Sequence, residues 1–230
     1  MALPVLNDSP KHVMILPSTG KKVKFRPYLI KEEKILLMAA QQQDVSGVME
    51  AVIDTIEACV EAKLDRNKLT TFDIEYMFLK IRAKSVGEIA EVGLKCSSCD
   101  HTNIVPVNLE NVECSKGTDN KNIKLTDQIT LEMQYPSYSS IELSEDETEL
   151  GFEIIASCIK TVITEDERFE VGDESKEEIR GFLESMTKDQ FERVGAFIET
   201  MPQLTENVTY TCEKCGTVNQ LEIKGLQSFF

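Results

Sequence analysis

Leu94-Lys95-Cys96-Ser97-Ser98-Cys99-Asp100-His101-Thr102-Asn103 and Tyr210-Thr211-Cys212-Glu213-Lys214-Cys215-Gly216-Thr217-Val218-Asn219 follow one local pattern twice. Each stretch has strand-prone residues, then a Cys-x-x-Cys pair, a turn residue, and an asparagine four positions beyond the second cysteine. A Cys-x-x-Cys pair on a tight turn brings two thiolates within reach of one cation, and two such knuckles complete a tetrahedral site. The spacing therefore predicts a zinc ribbon split by a long insertion, with Cys96, Cys99, Cys212 and Cys215 as ligands of a structural zinc. A site filled by four thiolates has no open position for water or substrate, so it folds the chain rather than catalysing hydrolysis. Redox Cys-x-x-Cys pairs normally open a helix, and neither pair here leads into a helical pattern. An unmetallated knuckle pair, or a ligand set in which His101 replaces a thiolate, are the remaining readings.

Outward from the knuckles, residues 88–95 and 103–109 read as strands beside the first, and 207–211 and 218–223 beside the second. Two β-prone runs, 12–16 and 23–29, flank a Pro-Ser-Thr-Gly turn and predict an N-terminal hairpin. Apolar residues at helical spacing predict helices over 30–43, 46–63 and 72–84, the last opened by Thr70-x-x-Asp73 as a capping box. Residues 123–125 and 129–135 are further strand candidates, and 114–121 read as a polar loop. Ser144-x-x-Glu147 is expected to open a helix running through Leu150, Ile154, Ile155, Cys158, Ile159 and Val162. Ser175-x-x-Glu178 and Thr187-x-x-Gln190 should open two more. The fold class is thus α+β: two helical blocks around a split zinc-ribbon-like β element, with an N-terminal β-hairpin. The expected parts are a hairpin and three-helix block (1–87), the first knuckle with strands (88–140), an acidic helical block (141–203) and the second knuckle (204–230). Cys96 and Cys212 lie 116 positions apart, about half of the 230 residues. Internal duplication and coincidence both fit that spacing. Cys59 and Cys158 fall on apolar helix faces and are expected in the core; Cys114 is assigned no role.

Hydrophobic residues make up 41% of the chain and charged residues 28%, a globular composition. The net charge of −15 is unevenly spread: residues 1–115 hold 14 basic and 16 acidic side chains, residues 116–230 hold 11 and 24. The first 34 residues run the other way, with 7 bases and 3 acids. The acidic stretch around 142–178 is either a solvated face or a docking surface for a basic partner, with Glu165, Asp166 and Glu167 as its candidates. Net acidity argues against an unassisted grip on nucleic-acid phosphates, and Glu88, Glu91, Asp100, Glu213 and Glu222 offset the lysines of the ribbon. No apolar run approaches the roughly 20 residues needed to span a bilayer. The first residues lack the pattern of a secretory signal, so a reducing compartment is expected. Phosphate-loop, dinucleotide, serine-hydrolase and zinc-protease motifs are absent, and His12 and His101 are far apart in sequence. No enzymatic activity is expected.

Two longer segments carry a resemblance. Leu16-Pro17-Ser18-Thr19-Gly20 together with Lys24-Phe25-Arg26-Pro27-Tyr28-Leu29-Ile30-Lys31-Glu32-Glu33-Lys34-Ile35-Leu36-Leu37-Met38-Ala39 resembles the N-terminal signature of a baseplate hub protein family of T-even-type contractile-tailed phages. Residues 72–88, which run into the first knuckle, resemble the second signature, and Tyr135-Pro136-Ser137 is similar too. The likeness covers roughly 12–140, is extended by the second Cys-x-x-Cys, and does not reach the acidic region 142–200. It implies a non-enzymatic hub subunit or hub assembly factor that binds other hub and tail proteins, with the tape-measure protein among the candidates. Its oligomeric state would be set by the assembly. Such a protein would be found in the host cytoplasm during assembly and in the virion tail baseplate afterwards. An assembly chaperone absent from the mature virion is the first alternative, a zinc-ribbon nucleic-acid accessory module the second. Within the first signature Phe25, Arg26 and Tyr28 have the chemistry of an interface anchor; the competing reading packs Phe25 and Tyr28 between hairpin and helix.

Overall fold

The computed structural model describes residues 10–42, 45–118, 120–140 and 147–229. The fold is α+β, with eleven strands and six α-helices among those residues. The chain divides into two compact units: Met1–Leu64, Phe72–Ser115 and Gln203–Phe230 form one, and Asp65–Thr71 with Lys116–Pro202 form the other.

The first unit contains the two hairpins that carry the knuckles. Strands β3 (Ile89–Lys95) and β4 (Thr102–Asn108) pair antiparallel, as do β10 (Leu204–Thr211) and β11 (Val218–Lys224). The pairing Ile89↔Asn108 through Lys95↔Thr102 recurs 116 positions later as Thr205↔Lys224 through Thr211↔Val218. The equivalence noted at the cysteines therefore extends along both hairpins. It does not extend to what precedes them: three helices in succession lead to the first hairpin, whereas a pair of strands interrupts the helices before the second.

Alternation buries one face of each hairpin. Ala90, Val92 and Leu94 of β3, Val105 and Val107 of β4, Val208 and Tyr210 of β10 and Ile223 of β11 share a core with Leu79 and Ala83 of α3 (Thr71–Ser85). Of the loop expected over 114–121, residues 115–118 and 120–121 are irregular; at its start Glu113–Cys114 form a short strand, β5, on the free edge of β10. Helix α3 buries Phe72, Ile74, Met77, Leu79, Ile81 and Ala83, residues too widely spread for one face. A helix apolar on several sides is an interior helix. Lys80 turns its ammonium onto the carbonyls of Leu109, Glu110 and Val112 at 3.3, 2.9 and 3.1 Å, capping the turn after β4.

The N-terminal hairpin, β1 (His12–Ile15) and β2 (Lys22–Phe25), completes this unit with α1 (Ile30–Gln42) and α2 (Val45–Cys59). The second strand was expected to reach 29, but it stops at Phe25, two residues before Pro27, whose nitrogen has no hydrogen to donate to a ladder. Arg26 then serves as a junction. Its guanidinium donates to Pro27 O at 2.8 Å, Ala58 O at 2.9 Å and Glu32 Oε1 at 3.0 Å. Glu32 also accepts the Leu29 N–H at 2.7 Å, holding the start of α1. Asp73, expected to close a capping box, accepts the Ser18 N–H at 3.0 Å and ties the first turn to α3.

The second unit is a four-stranded antiparallel sheet in the order β6-β7-β8-β9, formed by Asn122–Lys124, Thr130–Met133, Ile159–Ile163 and Arg168–Glu170. Its core joins Leu131 and Met133 of the sheet to Ile155 and Cys158 of α4 (Glu147–Cys158), Leu183 of α5 (Lys176–Glu184) and Val194 and Phe197 of α6 (Lys188–Glu199). The helix expected to run through Val162 ends at Cys158, and Ile159 begins a strand. Ile159, Thr161, Val162 and Ile163 are β-branched residues that favour extended backbone, and β7 offers them a ladder. Ser144, the expected cap of α4, lies outside the described residues. The capping boxes at Ser175–Glu178 and Thr187–Gln190 are both formed. Thr70 bridges Ser137, and the Tyr138 N–H donates to Leu69 O, so the short segment Asp65–Thr71 is stitched into this unit.

Glu32 is only 4% exposed. Burial pushes its carboxyl up, but Arg26 and the Leu29 N–H outweigh that and hold it below the usual carboxylate range. Stability from this pair is therefore present at neutral pH and is lost as pH falls through the lowered value. Arg26→Ala should cost roughly 1.5–3 kcal/mol at neutral pH, because the buried carboxylate loses its guanidinium and keeps only the Leu29 N–H and the exposed Lys31 ammonium. The cost should shrink towards pH 4, where Glu32 can take a proton. Denaturant unfolding at both pH values checks the sign.

Candidate metal centre

Four sulfurs converge at the tips of the two ribbon hairpins. The Sγ atoms of Cys96, Cys99, Cys212 and Cys215 all lie within 4.8 Å of one another. Across the knuckles, Cys96 and Cys215 are 3.6 Å apart and Cys99 and Cys212 3.7 Å. A tetrahedron with metal–sulfur bonds of ~2.3 Å has edges of about 3.8 Å, and the cluster has that size. Cys96 and Cys212 are buried, Cys99 is half-buried and Cys215 exposed. His101 supplies its backbone and not its ring: its carbonyl accepts the Cys96 N–H, and the ligand-atom cluster consists of sulfur alone.

The knuckles share one backbone conformation. Asp100 N–H donates to Cys96 O and Gly216 N–H to Cys212 O, while Cys96 N–H bonds His101 O and Cys212 N–H bonds Thr217 O. The residue after each second cysteine is left-handed, Asp100 at φ 55° and Gly216 at φ 74°. Glycine adopts that conformation freely, and aspartate is among the side chains that tolerate it. This reverses the chain within the turn and aims both thiols inward.

Two buried asparagines lock the knuckles to each other. Asn219 Oδ1 accepts the N–H and hydroxyl of Ser97 at 3.0 and 2.8 Å. Reciprocally, Asn103 Oδ1 accepts the Glu213 N–H at 2.9 Å. The amide nitrogens return to their own turns, Asn103 to His101 O and Asn219 to Thr217 O, both at 3.0 Å. Tyr210 adds a further crossing bond, its hydroxyl donating to Lys95 O at 2.8 Å. Sequence reading found the repeated position of Asn103 and Asn219 without assigning it a role; the repeat at matching offsets was the available signal. Tyr210 carried no such signal, because its counterpart is Leu94.

The local dipoles favour thiolate. The Ser98 N–H, outweighing the effect of burial, pulls Cys96 down to about 6, assisted by the Cys99 N–H and the Asn219 amide. The Thr217 hydroxyl and N–H lower Cys215 as well. At Cys99 the His101 N–H acts in the same direction, but burial and the three neighbouring sulfurs prevail and push it up to about 12. Four thiolates cannot gather unless a cation offsets their repulsion, so this donor set suits a soft divalent metal. The remaining three cysteines are apart from the cluster and free. Cys59 and Cys158 are buried as expected, and burial holds Cys114 up at about 12.

The other sequence candidates lie elsewhere. Phe25 is 3% exposed and stacks near His12, so it belongs to the core of its hairpin. Arg26 is engaged by the junction described above. Tyr28 is half-buried, with its N–H donating to Ser85 Oγ at 2.9 Å. The exposed side of the motif is Ile30, at 78%, continued by Ile35, Leu37 and Met38. Glu165, Asp166 and Glu167 occupy the turn between β8 and β9, where Thr164 and Glu167 exchange hydrogen bonds. No helix among the described residues is long and apolar enough to cross a membrane.

Cys96→Ser or Cys212→Ser should abolish stoichiometric metal binding and unfold the first unit at markedly lower temperature. Asn219→Ala removes the acceptor for the Ser97 N–H but no ligand. It should cost roughly 1–3 kcal/mol and speed metal loss to a chelator on the order of tenfold or more. Thermal melts and chelator competition read the two effects separately.

No curated protein and no solved structure matches the chain. A family model described as T4 bacteriophage base plate protein matches residues 9–230, both hairpins and the insertion between them included. With a match running over nearly its whole length, the chain belongs to the T4 bacteriophage base plate protein family.

Proposed function

We propose that this protein is a non-enzymatic structural component of the baseplate hub, folded around one structural zinc. The observation that carries the reading is the family match across both knuckles, joined to a four-sulfur cluster of tetrahedral size. Sulfur ligands at this spacing suit zinc, and a four-thiolate site holds the chain together without offering an open coordination position. Closing a loop of more than a hundred residues contributes on the order of a few kcal/mol.

Its partners on this reading are other hub and tail proteins, the tape-measure protein among them. It assembles in the host cytoplasm and ends in the virion tail. The apolar side chains exposed along α1, Ile30, Ile35, Leu37 and Met38, suit a surface that becomes covered in an assembly. A nucleic-acid role finds little support: Glu91, Asp100 and Glu213 are exposed on the ribbon alongside Lys95 and Lys214, and such binding needs an excess of cations.

Quantitative mass spectrometry of purified virions tests the role. The chain should be present at a fixed ratio to baseplate proteins, with one zinc per chain in the isolated protein. Recovery from infected cells in complex with hub proteins, but absence from virions, would replace the structural role by that of an assembly chaperone.

A further inference from the structure

The second unit has an apolar groove between the open edge of its sheet and helix α5. Ile129, Ile159, Val162, Phe169 and Val171 line the sheet side, and Ile179 and Phe182 the helix side, around a volume of about 330 Å³. Phe169 sits on β9, the last strand of the sheet, and is 39% exposed. Its partner across the ladder is Val162, so both side chains lie on the face that meets α5. Phe169 therefore offers part of its ring to the groove.

The rim of the groove is acidic. Glu174 and Glu178 line it, and Glu165, Asp166 and Glu167 follow directly on Thr164, another lining residue. The nearby cations are already engaged: Lys160 and Arg168 both pair with Glu132, at 2.6 and 2.8 Å, and Arg180 pairs with Glu149. Among the described residues no such pair neutralises Glu165, Asp166 or Glu174. An apolar floor framed by unneutralised carboxylates selects a ligand that is apolar in the middle and cationic at its margins.

We propose that this groove is the docking site for a basic amphipathic segment of a partner protein, seating aliphatic side chains against Phe169 and Phe182 and placing flanking Lys or Arg opposite Glu174 and Glu165. The inference deepens the assembly reading, on which the partner's biological identity rests; the chemistry of the groove can be tested without it.

The probe is a labelled synthetic helix of about twelve residues, with Leu and Ile at i, i+3, i+4 and i+7 spacing and Lys elsewhere, titrated into the full zinc-loaded chain. It should bind and shift the methyl resonances of Ile129, Val162, Val171 and Ile179. Phe169→Ala and, separately, Glu174→Lys should each weaken binding about tenfold; Glu174→Lys changes an exposed charge and keeps the fold intact even if the aromatic variant does not. Raised salt should weaken it further. Equal affinity for a version with Glu in place of Lys would overturn the proposal in favour of a merely apolar ligand. Shifts confined to other methyls would overturn it, as would self-association of the chain that covers the groove. A chain that binds the probe yet is missing from virions would sink the structural role and leave the groove standing.

Discussion

The ribbon of the first unit depends on two short turns being held against each other. The sulfurs set the distance, and the paired asparagines set the orientation. Four thiolates repel, and a cation that neutralises them imposes little direction, whereas Asn103 and Asn219 each bind the opposite backbone at a fixed angle. Losing either takes the protein acceptor from a backbone N–H of the opposite turn, Glu213 or Ser97. The hairpins behind the turns then have one relative placement, which lets alternating valines and leucines share a core with α3.

Local chemistry was legible in the sequence and long-range chemistry was not. The knuckles could be read because two thiols three residues apart, with a turn residue behind them, have few other uses. The caps at Ser175 and Thr187 could be read because a side chain and a backbone amide three positions away settle the matter between them. By contrast, the stretch from Leu150 to Val162 is mostly apolar, with Glu153 and Lys160 as its only charges, and gives no clear period to separate helix from strand. What decides the break at Cys158 is the free edge of β7, formed far away in sequence. The β-branched run at its end was a visible hint.

The interface-anchor chemistry of Phe25, Arg26 and Tyr28 illustrates the same boundary. Composition identifies residues able to bind strongly, without saying whether the protein itself uses them first. Here Arg26 is consumed by Ala58, Pro27 and the buried Glu32. In the sequence Glu32 stands among Lys31, Glu33 and Lys34 with nothing to single it out. Its partners Arg26 and Leu29 are close in sequence, but Arg26 is held in place by the Ala58 carbonyl near the end of α2, which the sequence around residue 32 does not show.

The stretch between the knuckles has its own closure. Ser115 N–H donates to Gln203 O, and Gln203 N–H donates to the Ser115 hydroxyl at 3.0 Å, so the strand ends that bracket the insertion meet at a two-bond clasp. The clasp makes the path between the hairpins independent of what lies between them. The 87 residues of Lys116–Pro202 leave and return at one point, so for the ribbon they count as a short connection, and the cost of bringing the knuckles together is set at the Ser115–Gln203 base rather than by the length of the insertion.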